Sequence, residues 1–180
     1  MTLRLHPRSA LAFAAAVLVL GALTAAQVSG FRVNATASMP VGLWRVAPVP
    51  AELRRGEVVT VCPPNTAGTR DAAARGYIAA GTCPGGYEPL IKPVAAVAGD
   101  QVMVSRAGIS VNGVFLDGTA QLGRDTAGRV LQAVPMGAHP VPAGHVWLLA
   151  GHNVHSWDSR YFGPVPVGDV QAVARPVWVR

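Results

Sequence analysis

The apolar and polar positions divide the chain into two unlike parts. Arg4 and Arg8 precede a stretch from Ser9 to Phe31 that contains no charged residue and is rich in Leu, Ala and Val. With a rise of about 1.5 Å per residue, roughly 20 such residues cross the ~30 Å hydrocarbon core of a bilayer. Residues 1–30 are therefore predicted to form a short tip and a membrane-spanning helix, and residues 31–180 to form a separate body.

The charges beside the apolar stretch predict its orientation. Arginines on its N-terminal side favour a cytoplasmic N-terminus and an exported body. A cleavable signal peptide is the alternative, because the small residues Ala25-Ala26 and Ser29-Gly30 resemble a cleavage site. We favour a retained anchor, since the apolar run exceeds the ~7–15 residues of a signal-peptide core. The body lies on the same side in both cases.

Beyond Phe31 the chain consists of short β-like runs separated by Gly and Pro, without helical periodicity. Asn112-Gly113 between two apolar triplets is a strong signal for a two-residue hairpin. Short, evenly spaced strands predict a mostly β body, an antiparallel barrel or sandwich. The predicted strands are Gly42 to Val46, Glu57 to Val61, Leu90 to Val97, Gln101 to Ser105, Ile109 to Val111, His145 to Leu149 and Val170 to Val179.

The segment 63–88 is polar, rich in Gly and bracketed by Cys62 and Cys83, and we interpret it as a loop insertion. Residues Asp71 to Arg75 could form one or two helical turns. In an oxidising compartment the two cysteines most simply form one disulfide, which adds about 3 kcal/mol in the chain-entropy model. A metal site would need more ligands at fixed spacing, and a catalytic cysteine would need a histidine nearby.

The charge of the chain argues against a nucleic-acid partner. The formal net charge is +6, but it comes from scattered arginines rather than from a run that could follow a phosphate backbone. Among the 15 basic residues only Lys92 is a lysine. A single lysine in a chain that otherwise uses arginine suggests a chemical role, although a solvated surface lysine is the simpler interpretation.

Ser38 is a candidate nucleophile because of its surroundings and its position. It lies in the Gly- and Pro-punctuated segment Asn34 to Trp44, where small neighbours leave an oxygen accessible and backbone N–H groups can face an oxyanion. A plain turn residue is the alternative. An extended chain from Gly30 keeps Ser38 within about 29 Å of the end of the apolar stretch. A reactive group there would work at the membrane surface.

Lys92 is the candidate base for this serine. A serine hydroxyl needs a base at neutral pH, and arginine cannot serve because its pKa exceeds about 12. Lys92 lies in the most apolar predicted strand, and burial there would lower its pKa towards neutrality. A strand-edge lysine that extends to water is the alternative.

A third polar cluster, from Gly151 to Val165, lies between two apolar strands and predicts a hydrogen-bonded network. Asp158 and Arg160 can pair with each other or with the backbone, and Ser156 can hydrogen bond to Lys92. The histidines His152, His155, His139 and His145 match no metal-ligand spacing, so we expect no metal and no other cofactor.

Together the three clusters resemble the signal peptidase I superfamily of serine/lysine endopeptidases. Its members carry S-x-P, then K-x-V-x-A/G-x-x-G-D, then S-x-D-S-R-Y-x-G, which this chain matches at Ser38, Lys92 and Ser156. Each motif alone is weak, and three in this order are strong. Three finer features are similar to the TraF-type conjugative-transfer branch. They are N-x-T-x-S-x-P-x-G-L followed by an aromatic residue, the Cys-Pro-Pro and Cys-Pro-Gly pair, and S-x-D-S-R-Y-F-G-P-V.

The resemblance implies a role for each matching residue. Ser38 would be the acylated nucleophile, Lys92 the base, and Thr36 with the Ser38 amide the oxyanion stabilisers. The supporting network would consist of Ser156, Asp158, Ser159 and Arg160. The sequence departs from the usual pattern at Ala98, Trp44 and His152, and the last makes a general leader peptidase a poorer match.

The implied function is cleavage of signal or leader segments from exported precursors, such as a pilin or a conjugative-transfer protein, with small side chains before the scissile bond. The implied partners are the precursor and membrane lipid. The implied location is the bacterial inner membrane, crossed once, with a periplasmic catalytic domain. Some relatives resolve the acyl-enzyme with an amine and cyclise a pilin, which would give Asp158 a direct catalytic role. A self-cleaving Ser/Lys repressor is disfavoured because no DNA-binding helical domain precedes the body. A non-catalytic membrane-tethered module of a secretion or conjugation complex is the other alternative.

Overall fold

The computed structural model describes residues 7–180 and consists of one long helix followed by a β-rich body. The larger of two antiparallel sheets has seven strands, in the order β1 (Phe31–Asn34), β2 (Gly42–Ala47), β12 (Val170–Val179), β3 (Val58–Val61), β5 (Leu90–Val97), β10 (His145–Leu148) and β11 (Val165–Pro166). The smaller sheet has the order β8 (Val114–Leu116), β7 (Ile109–Val111), β6 (Gln101–Val104) and β9 (Gly137–Pro140). The remaining elements are α2 (Ala67–Ala74), β4 (Ala80–Cys83), α3 (Ser159–Phe162) and a 3-10 helix over Val167–Asp169.

Helix α1 (Pro7–Val28) is long and apolar enough to cross a membrane. Proline suits its first turn, where a backbone N–H has no helical acceptor. The window Leu11–Val28 has a mean hydropathy of 2.1, and its residues are almost all exposed rather than packed on the body.

Gly30 joins this helix directly to the large sheet. It has a φ of 84°, a conformation that glycine adopts without strain. Its carbonyl accepts a hydrogen bond from Val46 N at 2.8 Å, and a Cβ added to Gly30 would lie 2.7 Å from Val46 O. The sheet therefore starts within a few residues of the helix end, which holds the body close to the helix.

Strand β5 lies in the interior of the large sheet and carries Lys92. Its residues alternate between buried and half-buried, and Leu90, Lys92, Val94 and Ala96 are the buried ones. Lys92 is paired in register with Val59 of β3. Because side chains on a strand alternate between faces, Lys92 shares its face with aliphatic neighbours rather than with solvent.

Two main apolar clusters hold the body together. One packs between β3, β5, β10 and the disulfide, and includes Val59, Val61, Leu148 and Trp157. The other lies beneath the small sheet, where Trp147 packs against valines and Ile109. A smaller cluster of Met39, Trp44 and Ala174 lies under the turn between β1 and β2.

The mostly β fold, all seven predicted strands and the hairpin at Asn112-Gly113 are confirmed, with strand ends that shift by no more than one residue. Asn112 and Gly113 have φ values of 50° and 82°, as a type I′ turn requires. The predicted disulfide is also confirmed, since Cys62 and Cys83 are bonded.

The helical turns expected at Asp71 to Arg75 belong to helix α2, whereas helix α3 was not expected. Helix α2 begins four residues before the predicted turn, because Thr66 caps it by accepting a hydrogen bond from Thr69 N at 3.1 Å. Helix α3 forms within the third polar cluster, where Asp158 caps it through Arg160 N at 3.1 Å. Strands β1, β4, β9 and β11 were not predicted.

Candidate active site

Ser38 lies half-buried in the turn between β1 and β2. Several side chains hold this turn through its backbone carbonyls. Trp44 Nε1 donates to Pro40 O at 3.1 Å, and Asn153 Nδ2 of the third polar cluster donates to Ala37 O at 3.1 Å. Met39, which follows Ser38, is buried and anchors the turn in the apolar cluster beneath it.

Asn34, at the end of β1, makes more contacts to this turn than any other side chain of the described residues. Its amide group donates to three carbonyl oxygens and accepts from the backbone N–H and the hydroxyl of Thr36. Asn34 belongs to the N-x-T-x-S-x-P motif, but the motif alone assigned it no role. An Asn four residues before a candidate nucleophile could have suggested a turn-forming side chain.

Lys92 is 2% exposed and donates a hydrogen bond to Ser156 Oγ at 2.7 Å. Burial lowers the pKa of Lys92 to about 8, and Arg160 also lowers it, while Asp158 opposes the shift. A substantial share of this side chain is therefore neutral near physiological pH. A neutral amine can accept a proton, which an ordinary surface lysine cannot do at this pH.

Asp158 and Arg160 form a fully buried ion pair beneath the site. Arg160 Nη2 lies 2.9 Å from Asp158 Oδ2, and Arg160 Nε donates to Oδ1 at 2.9 Å. Asp158 Oδ2 also accepts from Ala150 N at 3.1 Å. Since both carboxylate oxygens have several donors, the buried charge is compensated.

Arg160 also holds the loop that carries Ser156. Its Nη2 donates to the carbonyl oxygens of Asn153 and Ser156, both at 3.2 Å, and its Nη1 donates to Val154 O at 3.2 Å. The buried ion pair thus fixes the backbone on which the acceptor of Lys92 lies. Ser159 Oγ instead accepts from Leu148 N at 2.9 Å, which ties α3 to β10.

Ser38 and Lys92 line the same cleft, which has a volume of about 760 Å³. Thr36 and Asn34 line it from the turn, and Ile91 and Leu90 from β5. The cleft is therefore bounded by both the turn that carries Ser38 and the strand that bears the buried lysine. An extended peptide backbone can lie in a groove of this kind.

The disulfide-closed segment supplies another wall of the cleft. Tyr77 from this segment packs against Trp157 with ring centroids 6.1 Å apart, and Trp157 stacks on Tyr161 at 4.7 Å. Tyr77 also donates a hydrogen bond to Asp125 Oδ2. Tyr77, His155 and Trp157 separate the cleft from a second cavity of about 190 Å³.

The described residues contain no group of three or more His, Cys, Asp or Glu side chains placed to hold a metal ion. His139 packs on Trp147, with ring centroids 5.7 Å apart, and its Nε2 lies 2.7 Å from Pro135 O. His152 and His155 are exposed in the third polar cluster.

Comparison with known proteins identifies the family. Residues 7–179 match the family described as signal peptidase, peptidase S26, so the chain belongs to this family of peptidases. It is 39% identical over 174 residues to the conjugal transfer protein TraF of Agrobacterium tumefaciens, covering 96% of this chain and 97% of that one. It is 40% identical over 158 residues to a probable conjugal transfer protein TraF of Sinorhizobium fredii, and the match covers 88% of this chain and 82% of that one.

Among solved structures, a signal peptidase I from Enterococcus faecalis aligns with 69% of this chain and 98% of its own, at 17% identity and a TM-score of 0.39. The family match and the TraF relatives confirm the resemblance to signal peptidases, inferred from three short motifs, and to their TraF-type branch, inferred from finer features of the sequence. Membership in the family implies a precursor protein as substrate.

Proposed function

We propose that this protein is a membrane-anchored serine endopeptidase that cleaves leader segments of exported precursors, with Ser38 as nucleophile and Lys92 as general base. The observation that carries the proposal is a buried lysine with a pKa of about 8 that lines the same cleft as Ser38. Burial supplies the neutral amine, and the turn between β1 and β2 supplies the hydroxyl.

In the first half of the reaction, neutral Lys92 takes the proton of the Ser38 hydroxyl as its oxygen attacks the carbonyl carbon of the scissile bond. The Thr36 hydroxyl and the Ser38 N–H stabilise the resulting oxyanion. The carbon–nitrogen bond then breaks, and the Lys92 ammonium gives its proton to the departing amine. The products of this half are an acyl-enzyme on Ser38 and a neutral Lys92.

In the second half, Lys92 takes a proton from the acyl acceptor, which attacks the ester carbonyl. The Ser38 oxygen leaves and recovers the proton from Lys92, so that the enzyme returns to its starting state. Ser156 orients the lysine throughout by accepting its hydrogen bond. Arg160 and Asp158 support the loop behind Ser156.

Water is the acceptor in simple hydrolysis, and a substrate amine would be the acceptor in a cyclisation. Asp158 is fully buried and its oxygens accept from Arg160 and Ala150. This position supports a role of Asp158 as the structural partner of Arg160. A direct role of Asp158 in cyclisation would require one of its oxygens to become exposed to the acceptor.

The position of the apolar helix supports cleavage of precursors at a membrane surface. We infer that residues 1–30 anchor the protein in the bacterial inner membrane with a cytoplasmic N-terminus, and that residues 31–180 form a periplasmic peptidase domain. The disulfide Cys62–Cys83 fits an oxidising compartment. The short connection through Gly30 would keep the cleft near the membrane, where a precursor leaves its own apolar segment.

The TraF relatives favour a precursor that belongs to plasmid transfer, such as a pilin or another conjugative-transfer protein. A non-catalytic membrane-tethered module is the second candidate function. It would need the same anchor and body, but it would not need a buried lysine with a lowered pKa.

A serine-directed acylating probe separates the two candidates. The full-length protein in detergent micelles is expected to be labelled at Ser38, and Ser38→Ala is expected to abolish the labelling. Ser110→Ala, on β7 of the small sheet, is the matched control and should be labelled like the wild type. Equal labelling of wild type and Ser38→Ala would favour the non-catalytic module.

A further inference from the structure

The side chain of Asn34 is buried and acts as a hydrogen-bonding centre for the turn that carries Ser38. It is 8% exposed. Its Nδ2 donates to Thr36 O and Met39 O, both at 3.0 Å, and to Pro40 O at 3.1 Å. Its Oδ1 accepts from Thr36 N at 3.2 Å and from the Thr36 hydroxyl at 2.9 Å. One side chain thus contacts the chain on both sides of Ser38.

These contacts also fix the orientation of the Asn34 amide. Rotating it by half a turn would place its oxygen against three carbonyl oxygens and its NH₂ group against the N–H of Thr36. Only one orientation satisfies all partners, because a carbonyl oxygen accepts and an amide nitrogen donates. The network therefore determines which end of the side chain faces Thr36.

Side chains donate hydrogen bonds to the carbonyl oxygens of the turn, whereas one of its candidate oxyanion donors makes no hydrogen bond to the described residues. Asn34, Trp44 and Asn153 together donate to the carbonyl oxygens of residues 36, 37, 39 and 40. Within the described part of the chain, the backbone N–H of Ser38 makes no hydrogen bond. An oxyanion that binds this N–H would therefore displace no acceptor of the described residues.

The Thr36 hydroxyl has a single proton, and Asn34 Oδ1 accepts it. To stabilise an oxyanion, this hydroxyl must turn from Asn34 towards the cleft. When it does so, Asn34 Oδ1 keeps its hydrogen bond from Thr36 N. The exchange therefore leaves no buried acceptor without a partner, which keeps its cost low.

We propose that Asn34 is a positioning residue of the peptidase, which shapes the turn around Ser38 and holds the Thr36 hydroxyl until the oxyanion forms. This inference rests on the proposed function. Asn34 does not contact the reacting atoms. It acts through Thr36 and through the backbone of the turn.

A purely structural turn former would make the same hydrogen bonds, so the test must separate stability from catalysis. If Asn34 acts through Thr36, removing either side chain removes much of the same stabilisation of the oxyanion. The effects of Asn34→Ala and Thr36→Val on the rate should then be less than additive. A structural residue would show additive effects on the rate.

The experiment measures acylation of Ser38 by the serine-directed probe at several probe concentrations, with full-length protein in detergent micelles. Asn34→Ala should lower the saturating rate about tenfold or more, with the half-saturating concentration within about twofold of wild type. The double variant, Asn34→Ala with Thr36→Val, should be acylated only slightly more slowly than the slower of the two single variants. Asn65→Ala, an exposed asparagine outside the cleft, is the matched control and should keep the wild-type rate.

The isosteric Asn34→Asp covers the case in which Asn34→Ala does not fold. It keeps an acceptor for Thr36 but loses the donors to three carbonyl oxygens, and we expect a rate below that of the wild type. A wild-type rate in either variant, or additive effects with Thr36→Val, would overturn the role of Asn34 alone. A wild-type protein that is labelled no more than Ser38→Ala would instead overturn the proposed function, and this inference with it.

Discussion

Lys92 Nζ and Ser156 Oγ are 2.7 Å apart, although 64 residues separate them in the sequence. The lysine lies on an interior strand of the large sheet, and the serine lies on a loop that the buried Asp158–Arg160 pair supports. The contact therefore joins two motifs that the sequence places far apart. It also gives the buried amine a defined direction.

Removing this hydroxyl should impair the reaction more than substrate binding. In Ser156→Ala, Lys92 loses the acceptor that orients it, so we expect kcat to fall about tenfold while KM stays within about twofold. Precursor cleavage by purified full-length protein measures both constants. A wild-type kcat in Ser156→Ala would show that Lys92 needs no orientation by this hydroxyl.

The buried lysine should also lower the stability of the protein. Because its pKa in the folded protein is about 8, below its ordinary value of 10.5, protonating it opposes folding at neutral pH. Lys92→Met should therefore raise the free energy of unfolding at pH 7, on the order of 2 kcal/mol. Chemical denaturation in detergent micelles measures this difference.

The sign of the pH dependence follows from the two protonation states. Between about pH 8 and 10.5, the folded protein carries neutral Lys92 while the unfolded chain still binds the proton. The wild type should therefore gain stability across this window as the pH rises, and the advantage of Lys92→Met should shrink. An advantage that does not change with pH would mean that the lysine is not titrating in this range.

The disulfide should contribute mainly to stability. The free energy of unfolding of the double variant, Cys62→Ser with Cys83→Ser, should be about 3 kcal/mol below that of the wild type, as expected for a closed loop of this length. Adding reductant to the wild type should reproduce the loss, whereas it should not affect the double variant. A loss below about 0.5 kcal/mol would show that the segment around Tyr77 is held by its other contacts.

Much of the fold could be predicted from the sequence, because strong local signals marked it. The apolar run, the Asn112-Gly113 turn and the alternation along Leu90–Val97 each depend on neighbouring residues. Strand β1 was missed because Phe31–Asn34 has only four residues and its first residue belongs to the apolar run. Strand β9 was missed because it contains Gly137 and Pro140, which usually end a strand and are tolerated here at a sheet edge.

The site was predictable in its residue types but not in its network. The single lysine in an apolar strand pointed to a buried base, and burial in β5 is what the structure shows. The contacts of Asn34 are local, but the sequence motif alone did not show that one side chain would bind both sides of the turn. The contact of Asn153 with Ala37 depends on how two distant loops meet, so no local pattern could indicate it. The same holds for Tyr77, which the disulfide-closed segment brings to the wall of the cleft.

The measurement that tests the central claim most directly is the rate of Ser38 acylation as a function of pH, in the wild type and in Lys92→Arg. If neutral Lys92 is the base, the wild-type rate should rise about tenfold per pH unit at low pH and level off above a pKa near 8. Lys92→Arg should keep the positive charge and lose acylation throughout. Acylation of the arginine variant at the wild-type rate would contradict the role of Lys92.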